Sequence, residues 1–571
     1  MTIRFRKSLL ATALLAAAGG ASAAITLNDG LDGTWANAAE SGRGVALDVI
    51  PGADGSAIVS GGIFSYDADG NPVWMTFAGS IGAGESAVDG VALNLFEGGS
   101  FGAPFTAPGA PVQAGTAAIV FDSCTAMTVD LDMTEASGLD DVTLELEPTQ
   151  TLIGGSANPL CSSVAELAQC PDGTTADGDA CALPNSITGA LHLPAGKVYT
   201  LQGEVAVEDG ATLTIDPGVT VRGSDDTSAL NYLAVKRGGR LYAEGTATQP
   251  IVFTGPDDVI GSWGGLVIAG NSTCNDGTDT DACEFEANPA ITYGGTDLND
   301  SSGALRYVRV QYAGIAISED SEFNSITLLG VGAGTVLDHV QVDSGKDDGF
   351  EMFGGSVNGR YLVCSNMGDD CFDFDQGYTG KIQFALGLQG ENTDLGDDSN
   401  GIESDNDGDN NDKLPRTQPQ ISNLTLVGKP ELTRHAMRLR RGTGGNYTSV
   451  VMTSYTEECL ELGDTGTFAQ GTASEQGETL SMTHTFIGTC TGGEFKDDAS
   501  DAYLVSDWFA AGEGNESGGD PMLDGFLPMP GSPVLEGGAA NADAFFRPTS
   551  YRGAFAEGEN WTAGWTVNLG N

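Results

Sequence analysis

Apolar residues along this chain come in short runs that alternate with polar ones, and Gly, Asn or Asp cuts each run off within a few residues. A period of two puts successive side chains on opposite faces of a strand. YTLQGEVAVEDGATLTIDPGVTVRG (199–223) and LAVKRGGRLYAEGTATQPIVFTG (233–255) therefore predict short strands joined by DG, PG and GG turns. Helical periodicity is almost absent, and Gly supplies 83 of the 571 residues. The expected class is all-β. Each run is too short to stand alone, and repeats of this kind bury their apolar faces by stacking, which predicts a right-handed parallel β-helix.

GKDDGFEMFGG (345–355) and GDDCFDFDQG (368–377) are one structural unit written twice. Asp347 and Asp369, Phe350 and Phe372, and Glu351 and Asp373 are each 22 residues apart, one turn of such a helix. With longer insertions the alignment continues through GIESD, AMRLR and CLELG. One outward column then reads Glu351, Asp373, Glu403, Arg438, Glu461, and the next Phe353, Asp375, Asp405, Arg440, Gly463. Between them Met352, Phe374, Ser404, Leu439 and Leu462 point inward.

A separate, smaller antiparallel β domain is expected over residues 24–165. In it, AIVSGGIFSYDADGNPVWMTFAG reads as two strands around a DADGN turn. Asp67-x-Asp69-Gly70 there is better explained by the turn than by a metal. Trp35, Glu40–Gly44 and Tyr66–Trp74 resemble a small β domain of exported bacterial proteins with no secure function. Arg43 beside Trp35 and Trp74 could form a sugar-binding patch, with a packed core as the plainer reading. Residues 166–184, containing CPDGTTADGDAC, read as a disulfide-closed linker, and 185–571 as the β-helix.

Residues 1–23 read as a secretory signal peptide: a basic MTIRFRK start, a short apolar stretch and a small-residue ASA site. That run is too short to span a membrane, and no other apolar segment is long enough. Export to the bacterial periplasm, cell surface or extracellular space is expected. The ten cysteines fall as neighbours, suggesting the disulfides Cys124–Cys161, Cys170–Cys181, Cys274–Cys283, Cys364–Cys371 and Cys459–Cys490. The formal net charge of −55 excludes nucleic acid and anionic lipid as partners and favours cations. Because 40% of residues are apolar, the acidity does not imply disorder.

Acids stacked on neighbouring strands lie about 4.8 Å apart. They repel by about 0.9 kcal/mol in bulk water, or about 3 kcal/mol at an effective dielectric of 20. A counter-charge is needed, and the sequence offers two. Arg438 and Arg440 can pair with Glu403, Asp405 and Glu461. A bound Ca2+ is the other, with Asp347, Asp348, Asp369, Asp370, Asp397, Asp398 and Asp405 as candidate ligands in an oxygen-rich rim. A catalytic reading uses the same face: Asp373 with Glu351 or Glu403 has the spacing of a retaining glycosidase pair, and Lys346, His435 and Arg438 are candidate bases for a polysaccharide lyase.

The second domain resembles a family of exported bacterial parallel β-helix proteins of unknown function. The resemblance rests on GATLTIDPGVTV (210–221), QPIVFTG (249–255), SWGGLVIAGN (262–271), YGGTDLNDSSGALRYVRVQYAG (293–314), the two DD-containing units and YRGAFAEGENWTAGWT (551–566). It implies a fold and an exported setting. Polysaccharide lyases and pectin hydrolases share this architecture, but their catalytic motifs are not found, and architecture alone does not carry activity. The expectation is an acidic, calcium-binding surface or secreted protein that contacts a glycan or another surface or matrix component. Glycan cleavage, or a purely structural role, stands as the alternative.

Overall fold

The computed structural model describes residues 27, 31–40, 42–51, 56–67, 69–82, 85–96, 109–149, 170–178, 180–225, 229–275, 283–318, 321–390 and 399–570. The signal-peptide reading over residues 1–23 lies outside them, as do Cys161, Asp397 and Asp398. The chain divides into two compact units, Met1–Cys170 and Pro171–Asn571.

In the first unit eight antiparallel strands, from Gly33–Ala36 to Val142–Pro148, close into a barrel when Trp35 registers with Pro148. Alternation along each strand fills its interior with Trp35, Val45, Val59, Ile63, Phe77, Ile119, Phe121 and Leu144. Trp35 is thus a core residue, 1% exposed, whereas Trp74 is half exposed and Arg43 pairs with Glu40 at 3.1 Å. These three residues do not share one patch. Asp67 closes its turn by accepting from the Asp69 and Asn71 amides at 2.9 and 2.8 Å.

The second unit is a parallel β-helix. One face is an eleven-stranded parallel sheet running from Ser186–Ile187 to Gly493–Phe495. The remaining faces come from longer strands such as Val336–Asp343, Asn358–Ser365, Lys381–Leu388 and Gln420–Val427. Each of these bends at one residue that drops out of the pairing register: His339, Tyr361, Phe384 and Asn423, with φ of 57°, 56°, 60° and 56°. Tyr307, His339, Tyr361 and Phe384 stack along that corner at centroid separations of 4.4, 4.4 and 5.1 Å. At another corner, after Phe350–Phe353, Gly354 and Gly355 have φ of 65° and 83°, and an added Cβ at either would lie 2.5 Å from a carbonyl oxygen. Only glycine fits there.

The last residues fold back along the stack. Asn423 Nδ2 donates to Tyr551 O (3.1 Å), Gln383 Nε2 to Arg547 O (2.8 Å), and Gln341 Nε2 to Val567 O (2.8 Å). Trp565, 1% exposed, packs edge-on against Tyr307 and His339. The short helix Val505–Ala510 buries Val505, Trp508 and Phe509 over the strands Glu458–Leu462 and Gly493–Phe495.

Cys274–Cys283, Cys364–Cys371 and Cys459–Cys490 are disulfides, and Cys124, Cys170 and Cys181 are also disulfide-bonded.

Candidate functional site: a carboxylate ladder neutralised at one end

The eleven-stranded sheet stacks Glu351, Asp373, Glu403, Arg438 and Glu461 in one register column. Strands earlier in the sheet carry Ala234, Val267 and Thr327 in that column. This apolar part is covered by an excursion in which Cys283–Phe285 pairs with Asn288–Tyr293, and Phe285 packs against Phe323 and Phe353. The acids begin where that cover ends, which is why Glu351 is only 8% exposed.

The later half of the ladder carries its own counter-charges. Arg440 pairs with Glu403, and its Nε and Nη2 donate to Asp405 at 3.1 and 3.0 Å. Arg441 Nη1 reaches Asp405 at 2.9 Å. Arg438 lies 3.6 Å from Glu403 and 3.1 Å from Glu461. Glu461 also meets Lys496 Nζ at 2.5 Å and His435 Nε2 at 3.1 Å. Of the proposed catalytic group, Asp373 and Glu403 are register neighbours, but Arg438 sits between two carboxylates as a counter-charge. Asp405 is clasped by two guanidiniums and stands outside the carboxylate clusters described next.

The earlier half is different. Asp347, Asp348 and Asp369 each offer a carboxylate oxygen within 4.8 Å of the others, and so do Asp348, Glu351 and Asp373. Oxygens bound to calcium at 2.3–2.6 Å are at most about 5 Å apart, so both groups are compact enough for that ion. Asp347 Oδ2 and Asp373 Oδ1 are buried without a hydrogen-bond partner. Burial, then the charge of Asp369, pushes Asp347 up to about 8. Burial likewise raises Asp348, Glu351, Asp370 and Asp373 well above the carboxylate range; the next influence is Glu351 on Asp348, Asp373 on Glu351, Asp369 on Asp370 and Asp375 on Asp373. Asp375 is raised to about 8 by burial and then by Asp405.

Two of these acids have a second duty that sequence reasoning missed. Asn324 Oδ1 accepts from the Asp348 amide (3.2 Å), Asp348 Oδ1 from the Asp370 amide (2.8 Å), Asp370 Oδ1 from the Asn400 amide (2.5 Å), and Asn400 Oδ1 from the His435 amide (3.0 Å). Asp348 and Asp370 thus occupy places that Asn fills in neighbouring coils, and each staples its coil to the next. The signal in sequence was the interchange of Asn and Asp at the residue two before each strand. Glu351 accepts from Asn324 Nδ2. In DNDGDNND, Asp407 caps a turn by accepting from the Asp409 and Asn410 amides and pairs with Lys413.

Residues 185–566 match the family described as a pectate-lyase-like β-helix domain. No curated protein and no solved structure matches the chain.

Proposed function

The chain belongs to the pectate-lyase-like β-helix family, and from that premise we propose that it is an exported, polysaccharide-directed protein whose clustered, buried carboxylates hold calcium. Family membership suggests a polysaccharide-related role. The disulfides are compatible with export, and no helix among the described residues is long and apolar enough to cross a membrane. The partner would be a glycan or a surface or matrix component bearing one.

One observation carries the cation reading. A single ladder has arginines and a lysine on Glu403, Asp405 and Glu461, while Asp347, Asp348, Glu351, Asp369 and Asp373 crowd together under the rim of the excursion. Buried carboxylates in that state either hold protons or hold a cation. An all-oxygen donor set of this kind suits a hard divalent ion. Bound there, calcium supplies the positive charge that Arg438 and Arg440 supply further along, and it ties successive coils together. Its role is then structural, and it shapes the surface offered to a glycan.

The test is a thermal melt of the purified protein in EDTA and in millimolar calcium, beside the double variant Asp369→Asn/Asp373→Asn. Calcium at a hundred times its dissociation constant stabilises by about 2.7 kcal/mol. The unit of residues 171–571 has a melting entropy of about 0.8 kcal/mol/K, so the expected rise is about 3 °C. It should vanish in the double variant. A wild-type melt indifferent to calcium refutes the cation site.

A further inference from the structure

Far from the acid ladder, at the first coils of the helix, a cavity of about 900 Å³ opens on the outer face of the strands Val198–Leu201 and Thr220–Gly223. Arg222 stands in its wall. Its neighbours Val221 and Gly223 are buried, so its side chain leaves the coil on the outer face. Its Nε is buried with no hydrogen-bond partner, and among the described residues its guanidinium makes no ion pair. In a chain with 79 acidic and 24 basic residues an unpaired guanidinium is out of keeping with its surroundings. Arg306, Arg416 and Arg552 reach Asp338, Asp412 and Glu516.

A second arginine repeats the feature. Thr220 pairs with Val252, and Val252 with Arg309, so Arg309 projects from the same outer face two strands further along. Its Nε is also buried and without a partner. With strands about 4.8 Å apart and about 3.3 Å per residue, the two Cα atoms are about 12 Å from each other.

The rest of the wall carries hydroxyls and an amide (Thr200, Thr220, Ser224, Gln202), two carboxylates (Asp177, Asp225) and small apolar patches. Thr200 Oγ1 and Gln202 Nε2 both donate to Asp177 Oδ2, at 2.7 and 3.3 Å, which fixes that carboxylate as an acceptor facing the cavity. One unpaired guanidinium beside two carboxylates, a threonine pair and an amide suits a hydroxyl-rich ligand whose hydroxyls donate to Asp177 and Asp225 and whose single acid group meets Arg222. A bare inorganic anion has no hydroxyls to donate to those carboxylates and would only be repelled by them. The volume lies at the upper end of the range of about 300–1,000 Å³ for small-molecule sites, room for several linked sugars.

We infer that this cavity is a second glycan-binding site, in which Arg222 binds the acid group of an acidic polysaccharide, Asp177 accepts from its hydroxyls, and Arg309 meets a later acid group of the same strand. The inference rests on the polysaccharide part of the proposed function and not on the cation. It predicts cation-independent binding by a protein whose net charge repels polyanions. At 0.15 M salt the Debye length is about 8 Å, so carboxylates well beyond the cavity wall are screened.

The test is calorimetric titration of the full chain with polygalacturonate in 0.15 M NaCl and EDTA, with dextran sulfate and neutral dextran alongside. Saturable binding of an acidic polymer and none of dextran is expected, and the preferred polymer identifies the acid group as carboxylate or sulfate. Arg222→Ala and Arg222→Gln should each weaken binding at least tenfold, Arg222→Lys and Arg309→Ala less. The Arg222 variants should leave the melting temperature unchanged, because among the described residues Arg222 has no ion pair to lose, whereas Arg309 feels the charge of Asp343. No EDTA-resistant binding by the wild type, or equal binding by Arg222→Ala, overturns the site. Binding that needs calcium and ignores Arg222 would refute this site and leave the ladder reading standing. EDTA-resistant binding lost in Arg222→Ala, with a melt indifferent to calcium, would do the reverse.

Discussion

Asp375→Asn should change how the stability of the cation-free protein depends on pH. Asp375 is held at about 8 rather than 3.8, by burial first and by Asp405 second. Between those two values the folded state keeps a proton that the unfolded state has released. Stability from this group is therefore complete below about pH 4 and drains away as pH rises toward 8. The slope is about 1.4 kcal/mol per pH unit, and the whole interval amounts to on the order of 6 kcal/mol. That is a ceiling, because the side chain keeps some contact with water. With a melting entropy of about 0.8 kcal/mol/K for the unit of residues 171–571, the slope reads as about 2 °C per pH unit. Asn keeps the acceptor that takes the Gln376 amide at 2.6 Å, so the substitution removes the titration and little else. Melts of both proteins in EDTA from pH 5 to 7.5 give the answer by difference: the variant should gain on the wild type by up to about 5 °C across that range. A constant difference would mean that Asp375 ionises at its ordinary value in the fold, and the reasoning about buried, crowded acids would fail with it.

Three further outcomes concern counter-charges and the returning C-terminal segment. Arg440→Ala strips Glu403 and Asp405, 13% and 5% exposed, of a shared partner; a loss of about 3–5 kcal/mol is expected by calorimetry. Arg441→Ala, at a side chain 48% exposed, should cost less than about 1 kcal/mol. Trp565→Ala should cost about 3–5 kcal/mol and unfold the C-terminal segment first, read as early loss of protection at the Val567 amide, which donates to Gln341 Oε1.

The repeat was legible because stacking preserves register. Glu351, Asp373, Glu403, Arg438 and Glu461 could be aligned by eye since coils of one width put equivalent residues a fixed step apart, and insertions leave the strands themselves intact. Pairing of Arg438 and Arg440 with the acids followed from that column. Other features are set by contacts with no local trace. Lys496 reaches Glu461 from the next coil, and the cover over Glu351 comes from residues far earlier in the chain. The left-handed corner at His339 and Tyr361 is a backbone property that an aromatic or a histidine does not advertise. Trp561 and Trp565 were visible as part of a motif, yet nothing in it says that they bind a stack of rings some two hundred residues upstream. In the barrel the alternation located the strands, but which of Trp35 and Trp74 faces inward is decided by register.

The returning C-terminal segment also orders events in time. Its landing places, Asn423, Gln383 and Gln341, belong to three different coils, so it finds a complete binding surface only after those coils have stacked. A chain made from its N-terminus presents this segment after those coils. Until then the aromatic corner lies open, a sticky seam along the coils, and docking of this segment is the step that closes it. The contacts it makes are absent until the end of folding, and such late contacts slow unfolding more than they speed folding. The tail therefore acts as a latch on lifetime: loosening it would shorten how long the assembled helix survives while leaving the rate of its assembly nearly the same.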